Sequence, residues 1–284
     1  MHEAQASRTA FRVAVRRAAH QVLDTPRVFD DPLAVAIIGA EAASQLASGT
    51  SLRGQLAARP LRAFMAVRSR YAEDELARAV QDGVRQYGIL GAGLDTFAYR
   101  NPHRAAGLRV LEIDHPATQE WKRDQLRTAG ITIPPEVVFA AVDFERQSLA
   151  YGLETAGFHR DEPAFFSWLG VVPYLTDRAF GDTLAFLAAL PAGSGVVFDY
   201  SVARSSLKFA ERLALDALSA RVAAVGEPFQ LFFEPQQLAE RLRRAGFRQI
   251  EDLGPDEINA RYFSRRADGL RVKTNLGHLL SARI

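Results

Sequence analysis

The stretch Leu90-Gly91-Ala92-Gly93-Leu94-Asp95-Thr96 is the part of this chain best suited to holding a ligand. It follows a short apolar run, residues 86–90, of strand type. Glycine at such a turn lets backbone approach a bound molecule closely. A Gly-x-Gly is also what an ordinary β-α turn contains, so the weight falls on what comes next. Asp114 closes the following apolar run, about 20 positions after Gly91, where an acid accepts hydrogen bonds from ribose hydroxyls in dinucleotide-type folds. Asp143 closes the run after that, with Phe144 beside it. A carboxylate there can accept from an adenine amino group while an aromatic ring lies on the base. Three successive strand ends thus offer Gly-x-Gly, Asp and Asp, and ligands of such sheets bind at the carboxyl ends of strands. Together they describe a nucleoside site.

The residues also bear on which nucleoside. A nicotinamide dinucleotide fingerprint needs a third glycine, so that the helix packs closely and brings its N-terminus to the pyrophosphate. That position is Thr96, and Asn101-Pro102 interrupts the following helix early. A cofactor without phosphate fits better, and S-adenosylmethionine is one. An NAD-dependent oxidoreductase stays open as the alternative. The amino-acid end of S-adenosylmethionine carries a carboxylate that needs a cation. Arg68 and Arg70, just before the first strand, are candidates, although a solvated helix face would explain either.

The elements that must position these residues follow from the hydrophobic pattern. Residues 86–90, 108–113, 137–142, 164–172 and 195–200 read as strands with little alternation, as expected where both faces are buried. Residues 121–129 and 178–190 fill the gaps as helices, which predicts an α/β fold: a mostly parallel sheet with helices on both faces. The first 85 or so residues read as a helical cover. Ser7 would cap its first helix, Asp31-Pro32 would open its second, and a third would run from Pro60 to Asp82 and close at Gly83. Residues 201–230 read as a helical lid inserted after the fifth strand. A helix from Glu234-Pro235-Gln236 to Gly246 and strands at 247–253 and 277–284 complete a seven-stranded sheet. Nothing marks a linker, so residues 1–284 are expected to form a single domain.

Composition narrows the chemistry further. With 48% hydrophobic residues the chain can bury a sizeable core, and a formal charge of +2 without like-charge blocks gives nucleic acid no footprint. There is no cysteine, which removes disulfides, thiolate metal sites and a cysteine nucleophile. The six histidines are scattered without metal-ligand spacing, and neither H-E-x-x-H, G-x-S-x-G nor a P-loop occurs. The basic N-terminus lacks the apolar segment of a secretory signal, and no apolar run is long enough to cross a membrane. A cytoplasmic enzyme acting on a small molecule, without metal, is the simplest expectation.

Asp30-Asp31-Pro32-Leu33-Ala34, Arg68-Ser69-Arg70-Tyr71, the Gly91 loop, Leu111-Glu112-Ile113-Asp114-His115-Pro116 and Val171-Val172-Pro173-Tyr174-Leu175-Thr176 occur in an order and spacing that is informative. They resemble the leucine carboxyl methyltransferase-like family of S-adenosylmethionine-dependent methyltransferases, in particular its bacterial O-methyltransferase branch, over roughly residues 7–200. The resemblance implies a Rossmann-like class I methyltransferase fold. It further implies that Arg68 binds the cofactor carboxylate, Gly91 and Gly93 line methionine and ribose, Asp114 holds the ribose hydroxyls, and Asp143 with Phe144 frames adenine. Arg17 stands where the family places a basic residue near cofactor or acceptor, with Arg16 competing for the role, and Tyr174 could face the acceptor. One departure is Leu169, where the eukaryotic relatives carry a Glu. It leaves open a non-catalytic cofactor-binding protein. A carboxylate acceptor would need only a positioning cation such as Arg17 or Arg204. A hydroxyl acceptor would call for a base, for which His115 and His20 are the nearest candidates.

Overall fold

The computed structural model describes residues 8–48, 59–143, 147–224 and 226–284. The expected capping role of Ser7 and the expected adenine contact of Phe144 lie outside them. Three helices, α1 (Arg8–Leu23), α2 (Ala34–Ile37) and α3 (Ala40–Ala47), come first, then the long α4 (Arg59–Gln81). The alternating part follows as β1 (Gln86–Leu90), α5 (Phe97–Arg100), β2 (Arg109–Asp114), α6 (Pro116–Thr128), β3 (Val137–Ala141), α7 (Leu149–Thr155), β4 (Ala164–Trp168), α8 (Asp177–Ala188) and β5 (Gly195–Ser201). The chain closes with α9 (Phe209–Ala223), α10 (Pro235–Ala245), β6 (Gln249–Leu253), α11 (Pro255–Tyr262) and β7 (Gly277–Arg283).

The seven strands form one sheet in the order β3-β2-β1-β4-β5-β7-β6. The first five are parallel, and β7 runs antiparallel between β5 and β6. Successive side chains of a strand point to opposite faces, and here both faces are buried. Phe166, Phe198 and Leu280 join a core under α7, α8 and α10, while their neighbours Phe165, Val197 and Leu279 join a core under α4 and α11. This is the physical origin of strand segments that read as continuous apolar runs. A third cluster, built from Ala14, Ala18, Ile37 and Leu126, fastens α1–α3 beside the sheet. No helix of the described residues is long and apolar enough to cross a membrane.

Three boundaries differ from those the sequence suggests, each for a local reason. The fourth strand stops at Trp168 rather than at Val172, because Gly170 turns the chain at φ 71° and a 3-10 turn over Val172–Tyr174 follows with Pro173 inside it. Asp31-Pro32 does not open the second helix. That helix is only Ala34–Ile37, and the Asp31 side chain is fully buried instead. In the 201–230 insertion the helix occupies Phe209–Ala223 with only Leu215 buried, and the chain beyond it returns to the sheet through a bridge between Val202 and Phe233.

Candidate active site

The loop after β1 lies against the tip of β2, with the Gly91 and Ala92 amides donating to the Ile113 carbonyl at 2.8 and 3.1 Å. Gly91 has φ 67°, and a Cβ there would overlap the Val171 side chain, so the position tolerates no larger residue. Gly93, at φ 45°, lies under Ala10 of α1. Its amide donates to Oδ2 of Asp114 at 2.6 Å, and the His115 amide donates to Oδ1 at 2.7 Å. Each oxygen of the Asp114 carboxylate accepts one backbone bond, which leaves acceptor capacity on both. Burial raises the Asp114 pKa, although these two amide bonds oppose the shift.

Period-2 alternation explains the Glu-x-Asp pattern of β2. Glu112 and Asp114 share a face, Glu112 fully buried against Lys122 (2.7 Å) and the Tyr99 hydroxyl (2.9 Å), Asp114 at the open end. Asp143 follows the end of β3, with Oδ2 4.0 Å from Nε2 of His115. A cavity of about 310 Å³ is lined by Gly91, Gly93, Asp114, Asp143, Arg68, Arg17 and Tyr174, among others. The structure therefore brings every described residue of the expected site to one cavity. It is roofed by Ala10 and Val13 of α1 and edged by residues 226–228 and Gln230 of the segment after α9.

Geometry separates the competing candidates. Arg68 lines the cavity and is buried, whereas Arg70 points outward and pairs with Asp74 at 2.7 Å. Arg17 reaches the cavity wall, but its guanidinium is committed to Asp31, to Thr96 Oγ1 at 2.9 Å and to the Leu94 carbonyl at 3.3 Å. It braces the underside of the glycine loop, and those bonds leave it poorly placed to reach an acceptor. Arg204 does not serve the site; it is exposed and bonded to Asp216. His20 cannot act as a base on a ligand. It is fully buried, its Nε2 accepts from the Val28 and Phe29 amides, and Nδ1 therefore donates to Asp24 at 2.8 Å. His115 caps α6, with Nδ1 accepting from the Ala117 amide at 3.3 Å, which puts its proton on Nε2 toward Asp143. Thr96, the residue in place of a third glycine, donates to Asp31 at 2.8 Å inside the Arg17 cluster. The helix it precedes has four residues, too short to present a phosphate site.

One functional residue goes unrecognised in the sequence. Asp199, on β5, bonds both Arg68 and the Gly170 amide; nothing in a Phe-Asp-Tyr strand end signals that contact. Arg16, the alternative to Arg17, is half-buried and outside the cavity lining, and its Nη1 donates to the Arg12 carbonyl at 3.1 Å. Its Nε is buried without a hydrogen-bond partner, and burial together with the nearby Arg12 and Arg68 cations lowers its pKa.

The residues present fit S-adenosylmethionine. A small-residue cradle that a side chain at Gly91 would fill, a half-satisfied carboxylate at Asp114 and the buried Arg68 cation match, in turn, close approach, ribose hydroxyls and an amino-acid carboxylate.

Comparison with known proteins agrees. A DUF574 family protein from Streptomyces avermitilis shares the fold at a TM-score of 0.61 and 16% identity over 96% of both chains. A methyltransferase structure from Thermobifida fusca shares it at 0.54 and 18%, over 95% of this chain and 93% of the other. Sheet order, glycine loop and paired strand-end acids define the class as a Rossmann-like α/β methyltransferase. The chain belongs to the leucine carboxyl methyltransferase family, whose model matches residues 10–188. YktD of Bacillus subtilis, named as an S-adenosyl-L-methionine-dependent methyltransferase, is 32% identical over 95% of both chains. A similarly named protein of Saccharopolyspora erythraea is 35% identical over 70% of this chain and 69% of its own. The protein is accordingly an enzyme, an S-adenosylmethionine-dependent methyltransferase, and not an NAD-dependent oxidoreductase.

Proposed function

We propose that the methyl group is transferred to oxygen, and that the oxygen belongs to the carboxylate of a small acceptor. The observation that carries this reading is that His115 and Tyr174, which line the cavity, are both unsuited to act as a base, while the buried Arg68 cation faces the same space. His115 is spent as a helix cap, and burial pushes the Tyr174 phenol up to about 12, so at neutral pH it donates a hydrogen bond and takes no proton. A hydroxyl acceptor would need proton removal, whereas a carboxylate is already ionised. Arg68, buried and lining the cavity, favours an anion at this end of it.

When bound, S-adenosylmethionine supplies a methyl group on a sulfonium, activated for in-line displacement. In this reading Arg68 holds its carboxylate, Gly91 and Gly93 let it lie against the loop, Asp114 takes the ribose hydroxyls, and Asp143 stands beside the base. Tyr174 and the 226–230 segment bound the acceptor and exclude water, so that orientation supplies much of the rate. The test is turnover of methyl-labelled cofactor on matched panels of carboxylic acids and of phenols and alcohols. Label recovered as an ester, released as methanol by mild alkali, is the expected result. Turnover confined to phenols or alcohols, with label that survives alkali, contradicts the carboxylate assignment.

A further inference from the structure

The orientation of Arg68 is set from behind the cavity. Asp199 on β5 is 6% exposed and does not line the cavity, whereas Arg68 and Gly170 both do. Nη1 of Arg68 donates to Oδ2 of Asp199 at 3.0 Å, and the Gly170 amide donates to Oδ1 at 2.6 Å. Trp168 pairs with Phe198 across β4 and β5, so Asp199 stands one step past that pair, level with the turn that ends β4. Gly170 has φ 71°, and a Cβ there would sit 2.9 Å from both Nη1 and Nη2 of Arg68. The guanidinium thus lies along the Gly170 backbone, and one buried carboxylate grips the cation and the turn on which it rests. Leu169, on the same turn, offers no charge of its own.

We propose that Asp199 is the positioning residue for the cofactor's amino-acid end. It fixes the Arg68 plane along Gly170 and leaves the remaining donors of the guanidinium for a carboxylate in the cavity. The inference rests on Arg68 being the cation for the cofactor carboxylate. Removing Asp199 has two opposed consequences. Arg68 would carry more net charge, which strengthens its attraction for an anion, but its flexible side chain would lose the orientation that paired, in-plane hydrogen bonds require. Orientation dominates in a buried site where the donor fork must meet one fixed carboxylate, so the two roles predict opposite signs.

Calorimetric titration of two ligands separates them: S-adenosylhomocysteine, which keeps the amino-acid end, and 5′-methylthioadenosine, which lacks it. Asp199→Ala is expected to weaken S-adenosylhomocysteine about tenfold while methylthioadenosine changes by less than about twofold. Gly170→Ala, which leaves Asp199 in place but displaces the guanidinium, should give the same selective loss. In an Arg68→Gln background Asp199→Ala should add no further selective loss, as expected for residues acting through one group. Unchanged or tighter S-adenosylhomocysteine binding by Asp199→Ala overturns the proposal, and so does an equal loss of both ligands, which marks general damage to the fold. If Arg68→Gln binds S-adenosylhomocysteine like the unsubstituted protein, the assignment of Arg68 fails first and takes the inference with it.

Discussion

Asp114 is the residue whose chemistry can be read most directly. Its carboxylate is held by two backbone amides and faces the cavity with spare acceptor capacity. Hydrogen bonds to a charged acceptor contribute about 1.5–3 kcal/mol each, so Asp114→Asn should weaken S-adenosylhomocysteine by at least about tenfold with little change in melting temperature. Burial raises the Asp114 pKa, so the free protein takes up this proton above the ordinary carboxylate value of about 3.9. Ligand hydroxyls donate to the ionised form, so affinity should be level at neutral pH and fall as pH drops through that raised pKa. Titrations across the acid range check the sign. The dependence should flatten in Asp114→Asn, and affinity that rises on acidification would contradict the assignment.

Among the elements, α1 is bound to the cofactor loop by charge. Arg17 of α1, Asp31 and Thr96 form a buried cluster joined by Arg100, which also pairs with Glu73 of α4. Burial acts to raise the Asp31 pKa, but Arg17 and Arg100 outweigh it and hold it below the usual value. Its contribution to stability is therefore complete above the unfolded pKa of about 3.9 and is lost as pH falls through the lowered folded value. Asp31→Ala, which takes the close carboxylate from the buried Arg17 while Arg100 keeps Glu73, should cost about 3 kcal/mol in denaturant unfolding. A loss under about 1 kcal/mol would mean that α1 is held by its apolar face alone.

The same cluster explains what the sequence could and could not disclose at this scale. Strands buried on both faces announce themselves as short apolar runs, and residues 86–90 and 195–200 match the observed β1 and β5 within a residue. Glycine turns and strand-end acids sit at fixed offsets from such runs, so Gly91, Gly93, Asp114 and Asp143 were legible. Partnerships across long separations were not. Arg17 looked like a ligand residue because nothing local shows that Asp31 and Thr96 consume it. Asp199 looked like a strand end because Arg68 lies 131 positions away. The 255–262 helix and the 149–155 helix, short and with a weak apolar period, left no readable mark either.

For the molecule as a whole, the parallel half of the sheet supplies a fixed platform, and the N-terminal helices and the 226–230 segment close the space above it. Ala10 against Gly93, Arg17 on the Leu94 carbonyl and Gln230 against the Tyr174 carbonyl (2.7 Å) are among the contacts through which the cover meets the platform. A crystal structure with S-adenosylhomocysteine is the most direct test of this arrangement. Both ribose hydroxyls should lie within hydrogen-bond distance of the Asp114 carboxylate, with the adenine beside Asp143 and the amino-acid carboxylate on Arg68. A ligand seated elsewhere, or an Asp114 bonded only to Gly93 and His115 with ligand present, would contradict the assignment of the site.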